Sequence, residues 1–151
     1  MTKKQIIKAT IVFELLLISA ILGFVYKAQK SKDINYLPTL DHKTPTLCSD
    51  KPNCISSLMP KNHQNYLAPI NLPYNPLRNI GNHIPENCTL VKQSSDHHYY
   101  ACESKLFGFV DDMEFYYDSD EQVLHFISRS RVGYSDLGAN KERINSILKF
   151  L

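Results

Sequence analysis

The residues best suited to chemistry lie near the C-terminus of the chain. Between Ser128 and Arg143 stand three arginines, one aspartate, one asparagine and two glycines. A strand-to-helix junction needs only a capping side chain and a turn glycine, so this surplus of charge needs another explanation. Guanidinium groups beside a helix N-terminus are suited to a phosphate or carboxylate group. The ligand-binding candidates are Arg129, Arg131, Asp136, Asn140, Arg143 and, from the preceding strand, Asp112.

The same residues also have a structural interpretation, which we favour. Asp111 or Asp112 would neutralise the arginines and lock the last helix onto the sheet, and Asp136 would cap that helix. Arg129 and Arg131 share one face of a strand, with Asp112 diagonally opposite Arg129. We predict no catalytic residue and no metal or cofactor site.

Three weaker candidates carry little weight. Asp118–Glu121 lacks the spacing of a calcium loop and is typical of a solvated hairpin turn. His97 and His98 lie beside a turn, so we predict that both are surface residues. Ser56 and Ser57 have no base near them in the sequence that would activate a hydroxyl group.

Four cysteines, all downstream of the apolar N-terminal run, indicate the compartment. Cys48 and Cys54 bracket a short loop, and Cys88 faces Cys102 if their two strands form a hairpin. A zinc site is the rival, but the spacing is not C-x-x-C and no histidine lies at ligand spacing. We therefore predict two disulfides, which require an oxidising compartment.

The N-terminal segment is predicted to be a membrane anchor, residues 1–30, with residues 6–26 in contact with lipid. Ala9–Tyr26 gives eighteen residues with one charge, Glu14, and this length spans about 27 Å as a helix. A cleaved signal peptide is the alternative. No small-x-small cleavage site follows the apolar run, so we favour the uncleaved anchor.

Glu14 has two interpretations that the sequence leaves open. A carboxylate inside hydrocarbon indicates a partner helix in the membrane or another functional role. Alternatively, the helix lies shallow and Glu14 is protonated or close to the interface. The lysines are balanced on both sides of the span, so the disulfides decide the orientation. We predict a single-pass protein with a cytoplasmic N-terminus and a periplasmic or otherwise extracytoplasmic C-terminal domain.

The remaining chain is predicted to hold an extended tether, residues 31–47, and an α+β domain, residues 48–151. A short helix follows Asn75, and Ile144, Ile147, Leu148 and Leu151 form the apolar stripe of a last helix. The alternation of apolar and polar residues from residue 86 onward predicts an antiparallel sheet of about four strands, packed by one or two helices. In the last hairpin we expect Met113 opposite Phe126 and Phe115 opposite Leu124.

Charge excludes one class of partner. The formal net charge is +2, but residues 33–151 hold eleven Lys and Arg against fourteen Asp and Glu, a charge of −3. A segment with this net negative charge lacks the positively charged surface that binds nucleic acid.

Three motifs carry a resemblance to a known family. They are Cys48–Ser57, Phe109–Phe115 and Ser128–Arg143, and together they resemble the family called domain of unknown function 1499 over roughly residues 47–151. The resemblance implies a small secreted, membrane-tethered or plastid protein of unestablished biochemical role. Lys61–Leu77 departs from the family pattern, because a longer amphipathic helix often lies there, and the Cys88 and Cys102 pair is additional.

Two functions from different classes remain. The first is a non-catalytic envelope domain that binds or scaffolds a partner, including a membrane-protein partner through Glu14. The alternative is a ligand-binding or hydrolytic enzyme that uses Arg129, Arg131 and Asp136 as an anion site, with a ligand that the sequence does not name. Arginines that all form ion pairs with Asp or Glu would favour the first function. A concave pocket that contains an arginine without such a partner would favour the second.

Overall fold

The computed structural model of the protein describes residues 2–33 and 48–151, so most of the predicted tether lies outside the described residues. In chain order the elements are helix α1 (Lys3–Ser31), strands β1 (Cys54–Ser56) and β2 (Ile70–Asn71), helix α2 (Leu77–Gly81), strands β3 (Cys88–Gln93), β4 (His97–Glu103), β5 (Val110–Asp118) and β6 (Val123–Ser130), and helix α3 (Ala139–Leu148). The predicted class, a long apolar helix followed by an α+β domain, is confirmed.

The strands form one antiparallel sheet of six strands, not the predicted four. Its order is β1-β6-β5-β4-β3, and β2 also pairs with β6. The predicted meander corresponds to β3–β6. The two additional strands have three and two residues, too few to show an alternating pattern in the sequence, and both exist because they pair with β6.

The last hairpin differs from the predicted register by two residues. Phe115 lies opposite Phe126, and Met113 lies opposite Ser128. The cause is a four-residue turn in which Asp118 Oδ1 accepts the backbone N–H groups two and three residues further on, each at 2.9 Å. A shift of two residues keeps every side chain on its predicted face, so the core is the expected one.

One face of the sheet carries the apolar core, which α2 and α3 cover. The stripe predicted for α3 is confirmed, with Ile144 and Ile147 at 0% and 1% exposure. Helix α2 begins after Asn75 as predicted, with Pro76 at the N-cap position, and the Leu77 N–H group donates to Asn75 Oδ1 at 3.0 Å. The largest buried side chains of this face are Leu77, Ile80, Met113, Phe115, Leu124, Phe126, Ile144 and Ile147.

Both predicted disulfides are present. Cys88–Cys102 joins β3 to β4 on the core face, and Cys102 is fully buried. Cys48–Cys54 closes the loop before β1 and packs with Met59 against the opposite face. Each face of the sheet thus carries one disulfide.

Candidate functional site

The six candidate residues do not form one site, because the structure divides them between the two faces of the sheet. Successive residues of a strand point to opposite faces, so the strand arginines turn away from helix α3. On the α3 side lie Asp136, Asn140 and Arg143, and on the other side lie Asp112, Arg129 and Arg131.

The group on the α3 side joins the last helix to the sheet. Arg143 Nη2 contacts Asp111 Oδ2 at 2.8 Å, and its Nη1 donates to Asn140 Oδ1 at 2.8 Å. Asp136 Oδ2 accepts the Asn140 backbone N–H at 2.8 Å, as a capping carboxylate does. Burial raises the pKa of Asp111, although hydrogen bonds from Ser130 and Arg143 oppose the rise. These side chains form their hydrogen bonds and ion pairs within the group.

Arg131 on the other side is also fully engaged. Its Nε and Nη2 donate to Asp112 Oδ1 at 2.9 and 2.8 Å, and Nη2 also contacts the Tyr99 hydroxyl at 3.2 Å. Burial alone would lower the pKa of Arg131, but the hydrogen bonds and charge of Asp112 and Tyr99 raise it. Nη1 donates to the Ser31 carbonyl oxygen at the end of α1 at 3.0 Å. Arg131 therefore connects the sheet to the N-terminal helix.

The residues around Arg131 form a buried ionic network that we call the charged face. Its members are His97, Tyr99, Asp112, Glu114, Arg129 and Arg131. The Tyr99 hydroxyl donates to Asp112 Oδ1 at 2.6 Å, and His97 Nε2 lies 2.9 Å from Glu114 Oε2. The prediction that His97 is a surface residue is wrong, because its side chain points into this face and the residue is 7% exposed. Alternation along β4 and β5 was the signal that could have identified His97, Tyr99 and Glu114.

Arg129 differs from the other two arginines. Its buried Nη2 has no hydrogen-bond partner in the described part of the chain. Burial lowers the pKa of Arg129, against the opposing charges of Asp112 and Glu114. The side chain lines a cavity of about 430 Å³ between the end of α1, the Cys48–Cys54 loop and the end of β6. Three lysines share this cavity, namely Lys27, Lys30 and Lys51.

Ser57 has a base beside it, contrary to the expectation. Ser57 Oγ lies 3.3 Å from His125 Nδ1. The same oxygen accepts the Phe126 N–H at 2.9 Å and lies 3.3 Å from the Phe126 carbonyl, so it replaces a ladder hydrogen bond at the edge of β6. Because Ser57 is buried and its hydroxyl group bonds to the backbone, this pair has a structural role. Within residues 2–33 and 48–151, no group of three His, Cys, Asp or Glu residues could hold a metal ion.

The end of helix α1 packs directly on the domain. Ser31 Oγ accepts the Val110 N–H at 3.0 Å, and Lys32 Nζ forms an ion pair with Glu103 at 2.6 Å. Phe24, in the last part of the apolar run, stacks on Phe107 at a centroid distance of 5.2 Å. The cation-lined cavity therefore lies where this helix meets the sheet.

By length and composition, α1 is one helix that could cross a membrane, and its apolar side chains are exposed in the chain. No curated protein and no solved structure matches the sequence. One family model does match, over residues 46–151, and its description is "protein of unknown function (DUF1499)". Because the match covers most of the chain and includes all three motifs, the chain belongs to this family.

Proposed function

We propose that the protein is a membrane-anchored binding module whose domain, residues 48–151, is held against the extracytoplasmic surface of the bilayer by the anchor, residues 1–30. The observation that carries this proposal is the packing of the end of α1 on the end of β4, the start of β5 and the residue after β6. Arg131, Val110 and Glu103 all bond to the last turn of the helix or the residue after it. A domain held in this way stays close to the lipid headgroups.

The loops beside α1 support the same position. Leu106, Tyr134 and Leu137 are 82%, 71% and 97% exposed, an unusual fraction for apolar side chains in one region. Tyr134 and Leu137 line an apolar cavity of about 330 Å³ together with Phe24 of the helix. Aromatic and aliphatic side chains at this level fit the boundary between headgroups and acyl chains.

A tryptophan substitution tests this position, because the chain contains no tryptophan. We expect the fluorescence of Leu137→Trp in full-length protein to be quenched by lipids brominated near the headgroup. Phe150→Trp, at an exposed site near α2, is the matched control and should be quenched much less. Equal quenching of the two variants would contradict the proposed position of the domain.

The disulfides support one orientation of the protein in the membrane. Two stable cystine bridges form in an oxidising compartment, so the domain faces the periplasm or its equivalent, with Met1 in the cytoplasm. Protease added outside intact spheroplasts should remove the domain without lysis. Full protection until the membrane is opened would place the domain inside and reject this orientation.

Binding rather than catalysis is the activity that the side chains support. Arg131 and Arg143 are bound to buried carboxylates, and Ser57 is bound to the backbone. The alternative, an anion-binding or hydrolytic enzyme, gains support from one observation, the unpartnered Arg129 in its cavity. This observation favours ligand binding, because no activated nucleophile lines the cavity among the described residues.

Glu14 supports a scaffolding role with a membrane partner. The residue is exposed on α1 in the single chain, within an otherwise apolar stretch. If a partner helix binds there, Glu14→Leu will change the size of the complex extracted from membranes in mild detergent. An unchanged size supports the alternative, a helix that lies shallow in the bilayer.

A further inference from the structure

The cavity beside Arg129 has an unusual distribution of charge. Among the described residues, five cationic side chains line it and no carboxylate does: Lys27, Lys30, Lys51, Arg129 and Arg131. The remaining lining consists of small or polar residues and the Cys48–Cys54 bridge. Such a lining attracts an anion and offers several donors to its oxygen atoms.

Within residues 2–33 and 48–151, four of the five cations have no ion-pair partner. Arg131 is neutralised by Asp112. Lys27, Lys30 and Lys51 form no ion pair with any residue in the described ranges, and the buried Nη2 of Arg129 has no hydrogen-bond partner there. Besides Asp112, the acid whose charge acts on Arg129 is Glu114, whose Oε2 is bound to His97 and whose Oε1 has no partner among the described residues. One carboxylate beside four cations leaves a positive site.

The cavity also has a defined depth along α1. Lys27 is the first residue after the apolar run Ala9–Tyr26, and Lys30 lies one turn further on. A helix of eighteen residues spans about 27 Å, close to the thickness of the hydrocarbon core. Lys27 and Lys30 therefore lie at the level of the phosphate groups of the lipids.

We propose that this cavity binds the phosphate group of an anionic phospholipid. The Arg129 guanidinium donates to a phosphate oxygen, and Lys27, Lys30 and Lys51 surround the headgroup. The proposal deepens the proposed function, since it names the ligand of the membrane-held domain. The chemistry recognised is a phosphate group, and its source is lipid rather than solution because of the depth of the cavity.

The test is lipid retention by the full-length protein in a neutral detergent, measured by native mass spectrometry. Phosphatidylglycerol and phosphatidylcholine are the two lipid probes, and inorganic phosphate is the soluble competitor. We expect phosphatidylglycerol to be retained preferentially. Arg129→Gln should weaken its retention about tenfold, and Lys51→Gln, which changes an exposed side chain, should weaken it several-fold. Lys92→Gln, which removes an exposed lysine from β3, is the matched control and should have no effect.

Two results would overturn the proposal. Equal retention of phosphatidylglycerol by the three variants and the unmodified protein would show that the cavity is not the site. Displacement of phosphatidylglycerol from the unmodified protein by millimolar inorganic phosphate would assign the cavity to a soluble anion. Because the protease experiment measures sidedness without reference to lipid, a failure of the orientation and a failure of this site are distinguishable.

Discussion

The two faces of the sheet bury different chemistry for different purposes. The core face buries Met113, Phe115 and Phe126 under two helices and needs no partner outside the domain. The charged face buries ionised and polar side chains and extends through Arg131 to the end of α1. The contrast indicates that the core face holds the domain together, whereas the charged face connects it to the end of α1.

The largest expected effect is the loss of packing on the core face. Phe115 is fully buried, so Phe115→Ala leaves a cavity and should lower the free energy of unfolding by about 3–5 kcal/mol. Phe150→Ala, at a site 56% exposed, is the matched control and should cost about 1 kcal/mol or less. Denaturant unfolding of the detergent-solubilised protein gives both values. Similar losses for the two variants would remove the distinction between core and surface.

On the charged face, the ion pair of Asp112 should also contribute strongly. Asp112→Asn leaves Arg131 buried without its counter-charge, and we expect a loss of about 3 kcal/mol. The exposed pair Lys32–Glu103 offers the comparison, because Glu103→Gln should cost at most about 1 kcal/mol. If Asp112→Asn proves neutral in the same unfolding assay, the charged face is not a connected network.

The two disulfides allow the faces to be compared by one kind of change. Replacing Cys88 and Cys102 together by serine should cost about 3 kcal/mol, because the bridge closes the longer loop and lies in the core. The same replacement at Cys48 and Cys54 should cost about 2 kcal/mol, since that loop is shorter. Thermal unfolding under non-reducing conditions measures the difference. A larger loss at the Cys48–Cys54 bridge would reverse the proposed ranking.

The smallest expected effect is a pH dependence from His125. Burial lowers its pKa below the usual 6.5, although Asp118 and Glu121 act in the opposite direction. A histidine with a lowered pKa in the folded state stabilises the protein above pH 6.5, and this contribution is lost as pH falls through the folded pKa. Acidification from pH 7.5 to 5.5 should therefore lower the free energy of unfolding of the unmodified protein more than that of the His125→Asn variant. Parallel curves for the two proteins would exclude this contribution.

The spacing of apolar residues along the sequence was sufficient to predict the core face. The stripe of α3, the meander β3–β6 and the pairing of Cys88 with Cys102 all follow from local spacing. Strands β1 and β2 could not be predicted, because their residues become strands only by pairing with β6. The register of the last hairpin depends on the side chain of Asp118 in the turn, which alternation does not encode.

The charged face was harder to predict for a different reason. Alternating polar residues in a strand usually face water, so the alternation that groups His97 and Glu114 on one face did not indicate that this face is buried. The cavity at Arg129 combines Lys27 and Lys51 with a strand more than seventy residues further along the chain. Only the three-dimensional fold brings these segments together.

Distance measurement between the anchor and the domain tests the central claim most directly. Because all four native cysteines are in disulfides, spin labels on Gln29→Cys and Lys149→Cys would report one distance by pulsed electron paramagnetic resonance in nanodiscs. We expect a single narrow distribution, which Arg131→Gln broadens by removing the contact with Ser31. A broad distribution in the protein with Arg131 intact would mean that the domain moves freely on its tether, and would contradict the account.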